Sequence, residues 1–368
     1  MLSLLNNFIN ELKMENIALV IGVTGITGSN LAQELILNGW KTYGLARNPN
    51  SEIVGLNPVK ADLLDEENLK IALKDISPTH IFFTTWMRND TEEENIKVNS
   101  ALIRNLLNVL SAKKSIQHVA LVTGLKHYLG PFEAYAKEGF LPETPLREEQ
   151  PRLEYPNFYY AQEDAVYEAA ARDGFTWSIH RPHTVIGYAV GNLMNMGTTL
   201  AVYASICKAK NRKFIFPGSS AQWNGLSDVT DAGILARQLI WASTNETAKN
   251  KAFNITNGDV FRWKWLWKKI ADYFQIEYEG FENTARPLEA ELKNDQDTWE
   301  NIAKEFDLKE NNLMRVASAW HTDLDLGRPI EVMTDMTNSR KLGFSPFQST
   351  LDSFTDLFDK LRNEKLIP

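Results

Sequence analysis

The sequence contains only one cysteine, Cys207, in 368 residues. A single thiol can form neither an internal disulfide nor a cysteine-cluster metal site, so we expect no disulfide framework and no metal centre of that kind. Small secreted proteins often depend on disulfides, whereas a reducing cytoplasm keeps thiols free. The cysteine content therefore favours a cytoplasmic protein and gives no support for secretion.

Concentrated basic segments and long apolar runs are missing as well. Asp and Glu outnumber Lys and Arg by 47 to 39, the net charge is −8, and no Lys/Arg tract stands out. Nucleic acids and anionic membranes are bound through such tracts, so neither is an expected partner. No stretch approaches the ~18 continuous apolar residues that a membrane span needs.

The remaining composition is that of an ordinary globular protein, and the length suits about two domains. We predict an N-terminal amphipathic extension over residues 1–16, a dinucleotide-binding domain over 17–190, and a mainly substrate-binding lobe over 191–368, some segments of which return to the core. Apolar residues between Leu2 and Leu12 recur at roughly helical spacing, which favours a short docked helix. A dispensable extension before Met14 is the alternative.

Short apolar runs alternate with helical patterns from residue 17 onward. The patterns predict strands over residues 17–22, 41–47, 59–61, 80–86, 118–124 and 177–182, with helices over 96–110 and 262–274. Such alternation implies right-handed crossovers and a parallel sheet. The predicted fold class is therefore α/β, a Rossmann-like doubly wound parallel sheet with a smaller, mainly helical C-terminal substrate lobe. Ligands of such sheets bind at the carboxyl ends of the strands.

A glycine-rich loop follows the first predicted strand and opens a helix. Its spacing is G-x-x-G-x-x-G, not the G-x-G-x-x-G of the standard dinucleotide fingerprint. Glycines at such a turn let the backbone approach a pyrophosphate, which the N–H groups of the following helix then bind. Three glycines alone would also suit a tight, closely packed turn, but the strand–helix context favours a cofactor. The predicted contacts are Gly22, Thr24, Gly25, Ile26, Thr27 and Gly28.

Two further residues bear on the identity of the nucleotide. Arg47 ends the second predicted strand with no acidic residue beside it, and a guanidinium suits a ribose 2′-phosphate. We therefore predict NADPH over NADH, with an ordinary exposed arginine as the alternative. Asp62 follows the third strand and is predicted to contact the adenine amino group. It could also act as a helix cap or turn carboxylate, and the two roles can coexist.

The segment over residues 157–164, Asn-Phe-Tyr-Tyr-Ala-Gln-Glu-Asp, enters another predicted helix. Short-chain dehydrogenases usually carry Tyr-x-x-x-Lys there, but Glu163 follows Tyr159 by four residues and Asp164 follows Tyr160 by four. A carboxylate cannot supply the positive charge that the usual lysine provides. On this pattern alone the usual catalytic pair is absent, and a binding protein without turnover is an open alternative.

In its ordered motifs the chain resembles the progesterone 5β-reductase/iridoid synthase-like (PRISE) family of extended short-chain dehydrogenases/reductases. The most distinctive are Lys126-His-Tyr and Phe158-Tyr-Tyr-x-x-Glu-Asp. Further matching segments lie at residues 22–28, 85–86, 123–133, 178–182, 194–195, 227–228 and 253–261. The resemblance runs from about residue 17 to the C-terminus. One departure is Asn48. The family often has two adjacent arginines after the second strand, whereas Asn48 follows Arg47 in this chain.

The resemblance implies a catalytic pair, Lys126 and Tyr159, and an NADPH-dependent 1,4-reduction of enone C=C bonds. Hydride addition at the β-carbon places negative charge on the carbonyl oxygen, which a neutral tyrosine hydroxyl can stabilise. A nearby lysine can support that charge and bind the nicotinamide ribose. This chemistry requires no metal and no covalent intermediate.

The remaining predicted positions follow from the same motifs. Further cofactor contacts are expected at Thr85, Trp86, Thr123, Gly124 and Pro182, and the substrate pocket at Trp86, Phe132, Tyr160 and Met194. The expected partner is a small hydrophobic enone, and the resemblance also allows a homodimer. Alternatives are a different extended enzyme, such as an epimerase or an alcohol dehydrogenase, and a regulator that binds NADP(H) without turnover. The absence of Tyr-x-x-x-Lys argues against the first, and the joint presence of Lys126 and Tyr159 against the second.

Overall fold

The computed structural model describes residues 15–49, 52–131, 142–189, 191 and 194–368. The helix expected between Leu2 and Leu12 and the expected pocket residue Phe132 lie outside the described residues. No helix in the described ranges is long and apolar enough to cross a membrane.

A seven-stranded parallel sheet forms the centre of the protein. Its strands are β1 (Ile17–Ile21), β2 (Lys41–Ala46), β3 (Asn57–Lys60), β4 (His80–Phe83), β5 (His118–Val122), β6 (Thr176–Pro182) and β7 (Lys251–Ile255). The spatial order is β3-β2-β1-β4-β5-β6-β7, and every neighbouring pair is parallel. The order reverses between β1 and β4, which is where a doubly wound sheet opens a ligand crevice. The predicted fold class is confirmed.

Helices cover both faces of the sheet and build the second lobe. They are α1 (Ile26–Leu37), α2 (Glu66–Ala72), α3 (Glu92–Ser111), α4 (Lys126–Leu129), α5 (Phe158–Asp173), α6 (Met196–Ala209), α7 (Ser220–Asn224), α8 (Ala232–Thr244), α9 (Trp263–Phe274), α10 (Leu288–Glu291), α11 (Gln296–Glu305), α12 (Leu313–Val316), α13 (Ala319–Leu326), α14 (Thr337–Lys341) and α15 (Thr350–Asn363). A 3-10 turn spans Glu246–Ala248. Two-residue strands also pair, Val185–Ile186 with Thr230–Asp231 and Phe214–Ile215 with Tyr278–Glu279.

The central strands β1, β4 and β5 are almost fully buried, which explains why they read as continuous apolar runs, whereas the edge strand β3 is mostly exposed. Leucines of α3, among them Leu106, pack with Val166 of α5 on one face. Leu35 of α1 and Leu239 of α8 pack on the other. Because α8 and β7 belong to the sheet layers, parts of the chain beyond residue 191 return to the core.

The second lobe has its own aromatic core. Trp263 and Trp267 on α9 are buried, and the Trp267 ring stacks on Phe214 with centroids 4.0 Å apart. The indole N–H of Trp267 also donates to the Phe214 carbonyl at 3.0 Å. Helices α6, α11 and α15 contribute to the same cluster. This packing places α13 beside the carboxyl ends of the sheet strands, where it borders the site.

Candidate active site

The loop between β1 and α1 has the shape that a pyrophosphate site requires. Gly22 has a φ of +83°, and a Cβ there would lie 2.7 Å from the Thr85 Cβ. A Cβ on Gly28 would lie 2.2 Å from the Gly22 carbonyl oxygen, so a side chain at that position would collide with the loop. Gly25 precedes α1, whose N-terminus has no side-chain cap. The first N–H groups of α1 can therefore bind an anion.

A cavity of about 440 Å³ lies beside this loop and the ends of β4, β5 and β6. The predicted residues that line it are Gly22, Thr24, Gly25, Ile26, Thr27, Thr85, Trp86, Thr123, Gly124, Lys126, Tyr159, Pro182 and Met194. The cavity thus brings the glycine loop, the expected catalytic pair and two of the expected substrate contacts, Trp86 and Met194, to one place. Gly28 lies beneath the loop and does not line the cavity.

Two predicted nucleotide contacts, Arg47 and Asp62, do not line this cavity. Arg47 directly follows β2, the neighbour of β1, and its side chain is exposed. The Asp62 carboxylate accepts the Leu64 N–H at 2.9 Å, which is the turn role considered as its alternative. Contacts of Arg47 and Asp62 with a nucleotide remain predictions.

Asn157 joins the segments that carry the two expected catalytic residues. Its side-chain amide donates to the Lys126 carbonyl oxygen at 2.8 Å. Its side-chain oxygen accepts the Tyr159 N–H at 3.0 Å and so caps α5. One amide therefore fixes the short helix α4 against the start of α5, and the two residues reach the same cavity as a result.

Tyr159 presents a hydroxyl with no hydrogen-bond partner in the part of the chain that the structure describes. The residue is buried, and a Cβ on Gly124 would lie 3.3 Å from its hydroxyl oxygen, so glycine leaves space beside that oxygen. Burial, assisted by the negative charge of Glu92, raises the pKa of Tyr159 above its usual range. The hydroxyl is therefore neutral and can donate a hydrogen bond to a ligand.

The Lys126 ammonium lies near two aromatic rings at the cavity. Its Nζ is 5.0 Å from the centre of the Phe158 ring and 5.8 Å from that of Trp86. The two rings stack on each other with centroids 5.1 Å apart. A cation within about 6 Å of a ring face is attracted to it, so these rings help to hold the charge at the cavity. The carboxylate of Glu92 accepts the Phe158 N–H at 2.8 Å, which stabilises the start of α5.

Glu163, one turn after Tyr159, faces a buried charge cluster. Its carboxylate pairs with Arg152 at 2.8 Å and with Arg181 at 3.5 Å. Arg181 also donates to the Tyr128 hydroxyl at 3.1 Å, and that hydroxyl donates to Asn254 at 2.7 Å. The carboxylate at the usual lysine position is thus used in holding α5 to the sheet, and it does not line the cavity.

Tyr160 does not line this cavity, and a contribution of Tyr160 to the substrate pocket stays a prediction. Its hydroxyl donates to the His127 carbonyl oxygen at 2.6 Å and accepts the Leu153 N–H at 3.0 Å. Consecutive helical residues point about 100° apart, so the Tyr160 side chain is directed away from that of Tyr159. Tyr160 instead ties α5 to neighbouring backbone.

The sequence interpretation missed one side of the cavity. Its lining includes Arg88, His183, Thr184, Trp320, His321, Asp325 and Arg328. His183 and Thr184 directly follow the predicted contact Pro182, so continuing that motif would have found them. The last four come from α13 and the residues after it, where no pattern indicates a site. No group of three or more metal-ligating side chains occurs within the described ranges.

Comparison with known proteins agrees with this arrangement. The family model for the PRISE-like Rossmann-fold domain matches residues 51–368. The chain is 40% identical to the 3-oxo-Delta(4,5)-steroid 5-beta-reductase of Arabidopsis thaliana, over 96% of this chain and 94% of that protein. It is 39% identical to the (S)-8-oxocitronellyl enol synthase CYC2 of Camptotheca acuminata, with the same coverage of both chains.

Solved structures support the fold at much lower sequence identity. UDP-glucose 4-epimerase from Thermotoga maritima aligns with a TM-score of 0.66 and 14% identity, over 94% of this chain and 99% of that one. The Bordetella bronchiseptica enzyme WbmH, solved in complex with NAD+, aligns with a TM-score of 0.62 and 13% identity, over 95% and 99%. These likenesses concern the fold alone. The motifs of this chain, the matching family model and the near full-length relatives show that the chain belongs to the PRISE family, the progesterone 5β-reductase/iridoid synthase-like proteins.

Proposed function

We propose that this protein is an oxidoreductase that reduces the C=C bond of α,β-unsaturated carbonyl compounds by NADPH-dependent 1,4-addition. The observation that carries the proposal is the Tyr159 hydroxyl, which is neutral, has no partner among the described residues and shares a cavity with Lys126 and the glycine loop. The names of the relatives, a steroid 5-beta-reductase and an enol synthase, are consistent with this chemistry.

The residues at the site suit a nicotinamide dinucleotide. The uncapped N-terminus of α1 and the loop around Gly22 and Gly25 are built for a pyrophosphate. When bound, the cofactor supplies the hydride that adds to the β-carbon of the substrate. The preference for NADPH rests on Arg47, which is exposed directly after β2 with no acidic residue beside it.

Tyr159 acts at the carbonyl oxygen of the substrate. Negative charge develops there in the transition state, and a donor already in place stabilises it without reorganisation. The raised pKa keeps the proton on the Tyr159 oxygen, where it can be shared with the developing enolate. The addition requires no covalent bond between enzyme and substrate, and a proton from water then adds to the α-carbon of the enolate to give the saturated carbonyl.

Lys126 contributes a positive charge to the same region. Held near the rings of Trp86 and Phe158, its ammonium lowers the cost of negative charge on the substrate oxygen. Its N–H groups can also bind ribose hydroxyls of the cofactor. The apolar lining from Trp86, Met194 and Ile26 suits a hydrophobic enone.

The test follows NADPH absorbance with progesterone, 2-cyclohexen-1-one and 8-oxogeranial as substrates. We expect oxidation of NADPH, slower oxidation of NADH and a saturated ketone or aldehyde as the product. An allylic alcohol as the main product would assign the enzyme to the carbonyl reductases instead. Cofactor binding without turnover of any enone would favour a regulatory NADP(H)-binding protein.

A further inference from the structure

The two expected catalytic residues come from different segments of this chain. In the Tyr-x-x-x-Lys arrangement both residues lie on one helix, so the helical repeat fixes their spacing. Here Lys126 lies on α4 and Tyr159 on α5, and the spacing depends on how these two helices are held together. Because α4 has only four residues, hydrogen bonds within it cannot make it stable alone, and its position must come from the surrounding fold.

Two side chains hold α4 from the α5 side. The Asn157 amide donates to the Lys126 carbonyl oxygen at 2.8 Å, and the Tyr160 hydroxyl donates to the His127 carbonyl oxygen at 2.6 Å. The two bonds act on neighbouring carbonyls, so each supports the other. A helix that is held in this way also needs contacts on its opposite side, toward the sheet.

Tyr128 supplies the contact with the sheet. Consecutive helical residues point about 100° apart, so Tyr128 points about 200° away from Lys126, which lines the cavity. The Tyr128 side chain is buried, and burial raises the pKa of Tyr128 to about 12, so the hydroxyl keeps its proton. The hydroxyl oxygen accepts from the Arg181 guanidinium of β6 at 3.1 Å, and its proton is donated to the Asn254 side-chain oxygen of β7 at 2.7 Å.

The direction of each of these hydrogen bonds is fixed. Arginine can only donate, so the Tyr128 oxygen is the acceptor toward Arg181. Asn254 is fully buried, and its side-chain N–H groups donate to the Leu146 and Asp335 carbonyl oxygens, both at 3.0 Å. Its side-chain oxygen must therefore face the tyrosine. Since Asn254 cannot turn round without losing both donated bonds, the contact between α4 and the sheet has a single arrangement.

Glu163 keeps the Arg181 partner of Tyr128 in place. The Glu163 carboxylate lies 3.5 Å from the Arg181 guanidinium, and the two side chains are only 1% and 5% exposed. A buried charge requires such a counter-ion. Position 163 is four residues after Tyr159, where the common arrangement has its lysine. In this chain a carboxylate at that position supports, through Arg181, the segment that provides the lysine instead.

We propose that Tyr128 is a positioning residue for Lys126, which anchors α4 to the sheet and so keeps the Lys126 ammonium at the cavity. Tyr128 does not itself line the cavity, so it acts on the reaction through the lysine on the opposite side of its helix. A misplacement of about 1 Å can lower a reaction rate by about 100-fold. This inference rests on the proposed enone reduction, in which the charge of Lys126 stabilises the substrate oxygen.

The test is a double-mutant cycle with 2-cyclohexen-1-one as the substrate. Tyr128→Phe should lower kcat by about tenfold, because the anchor is lost and the ammonium is less well placed. In a Lys126→Met background the same substitution should change kcat by less than about twofold, because the group that Tyr128 positions is already absent. An equal loss of kcat in both backgrounds, or no loss in either, would overturn the proposal.

Tyr203→Phe is the matched control for lost stability. Tyr203 of α6 is buried in the second lobe and does not line the cavity. Its hydroxyl also makes two hydrogen bonds, accepting the Ile215 N–H at 3.2 Å and donating to the Ile215 carbonyl oxygen at 3.4 Å. Both variants should lower the melting temperature, and only Tyr128→Phe should lower kcat. If Tyr203→Phe lowers kcat as much as Tyr128→Phe does, the role of Tyr128 is one of stability and the proposal is refuted.

The position of the ammonium can also be tested without turnover. Lys126 is partly buried, with its Nζ 5.0 Å from the centre of the Phe158 ring. Its rate of acetylation by acetic anhydride, followed by mass spectrometry, should rise several-fold in Tyr128→Phe and stay unchanged in Tyr203→Phe. The same rate in Tyr128→Phe as in the parent would refute the positioning role.

The two hypotheses fail in different ways. If the parent enzyme reduces no enone, the proposed function is wrong, and the acetylation rate of Lys126 still decides whether Tyr128 positions it. If the enone is reduced but the cycle shows equal losses in both backgrounds, enone reduction stands and only the positioning role of Tyr128 is lost.

Discussion

Replacing Tyr159 by phenylalanine removes one oxygen atom and leaves the ring in place. The ring lies 4.3 Å from that of Phe158, centre to centre, and this packing is kept in the variant. The lost hydroxyl has no hydrogen-bond partner among the described residues, so no protein group is left unpaired. We therefore expect the free energy of unfolding of Tyr159→Phe to stay within about 1 kcal/mol of the parent, because the substitution leaves no buried donor or acceptor without its partner.

The effect on catalysis should be large in comparison. Removal of one oxyanion donor typically lowers kcat by 100- to 1000-fold, or roughly 2.7–4 kcal/mol of barrier. Charge builds on the substrate oxygen mainly in the transition state, so the loss should fall on kcat more than on KM. Because burial raises the pKa of Tyr159, the hydroxyl also stays protonated up to its usual range near 10, and ionisation of the donor should not reduce wild-type kcat below about that pH.

Tyr160→Phe is the matched control, because it makes the same chemical change on the next residue. It removes the bonds to the His127 carbonyl and the Leu153 N–H, and unpaired buried groups cost about 1–3 kcal/mol of stability. We expect a lower melting temperature with most of kcat retained, the reverse of Tyr159→Phe. Steady-state kinetics and thermal unfolding measure both. If Tyr159→Phe retains kcat within threefold, or if both variants lose kcat equally, the assignment of Tyr159 as donor is refuted.

Three further predictions concern neighbouring residues. Lys126→Met should lower turnover at least tenfold with an unchanged circular dichroism spectrum, and kinetics within twofold of the parent would contradict its catalytic role. Arg47→Ala should raise the Michaelis constant for NADPH far more than that for NADH, whereas equal increases would show that Arg47 does not bind the 2′-phosphate. Asn157→Asp keeps the cap on the Tyr159 N–H but places a carboxylate against the Lys126 carbonyl, so we expect kcat to fall several-fold with the melting temperature changed by only a few degrees. An unchanged kcat there would mean that α4 holds its position without Asn157.

Most of the sheet was predictable, because the residues of a strand themselves carry the pattern that indicates it. A strand buried on both faces needs an unbroken apolar run, and β1 and β4 show one. The exception is β7, which the sequence interpretation missed. Its Asn254 is fully buried and donates to the Leu146 and Asp335 carbonyls, both at 3.0 Å. Leu146 and Asp335 are far from Asn254 in the sequence. The local sequence of β7 therefore does not indicate that this polar residue finds hydrogen-bond partners inside a buried strand.

The site was predictable only where its residues belong to motifs at strand ends. The glycine loop, Lys126 and Tyr159 are of this kind, and they meet because parallel strands bring their carboxyl ends together. His321 and Arg328 are different, because they reach the cavity through the packing of the second lobe. Tyr160 shows a further limit. Two adjacent residues of a motif need not point in the same direction, because the helical repeat sets the direction of each side chain.

The buried pairing of Glu163 with Arg152 and Arg181 restricts how this active site can be redesigned. Restoring the common Tyr-x-x-x-Lys arrangement would require Glu163→Lys, which places a third cation where two arginines already share one carboxylate. An uncompensated buried charge costs several kcal/mol, so the single exchange is expected to unfold the start of α5 rather than supply a second lysine. Arg152 would keep Asp164 as a partner at 2.8 Å, whereas the buried Arg181 would lose its carboxylate, so a lysine at position 163 calls for a second change at Arg181.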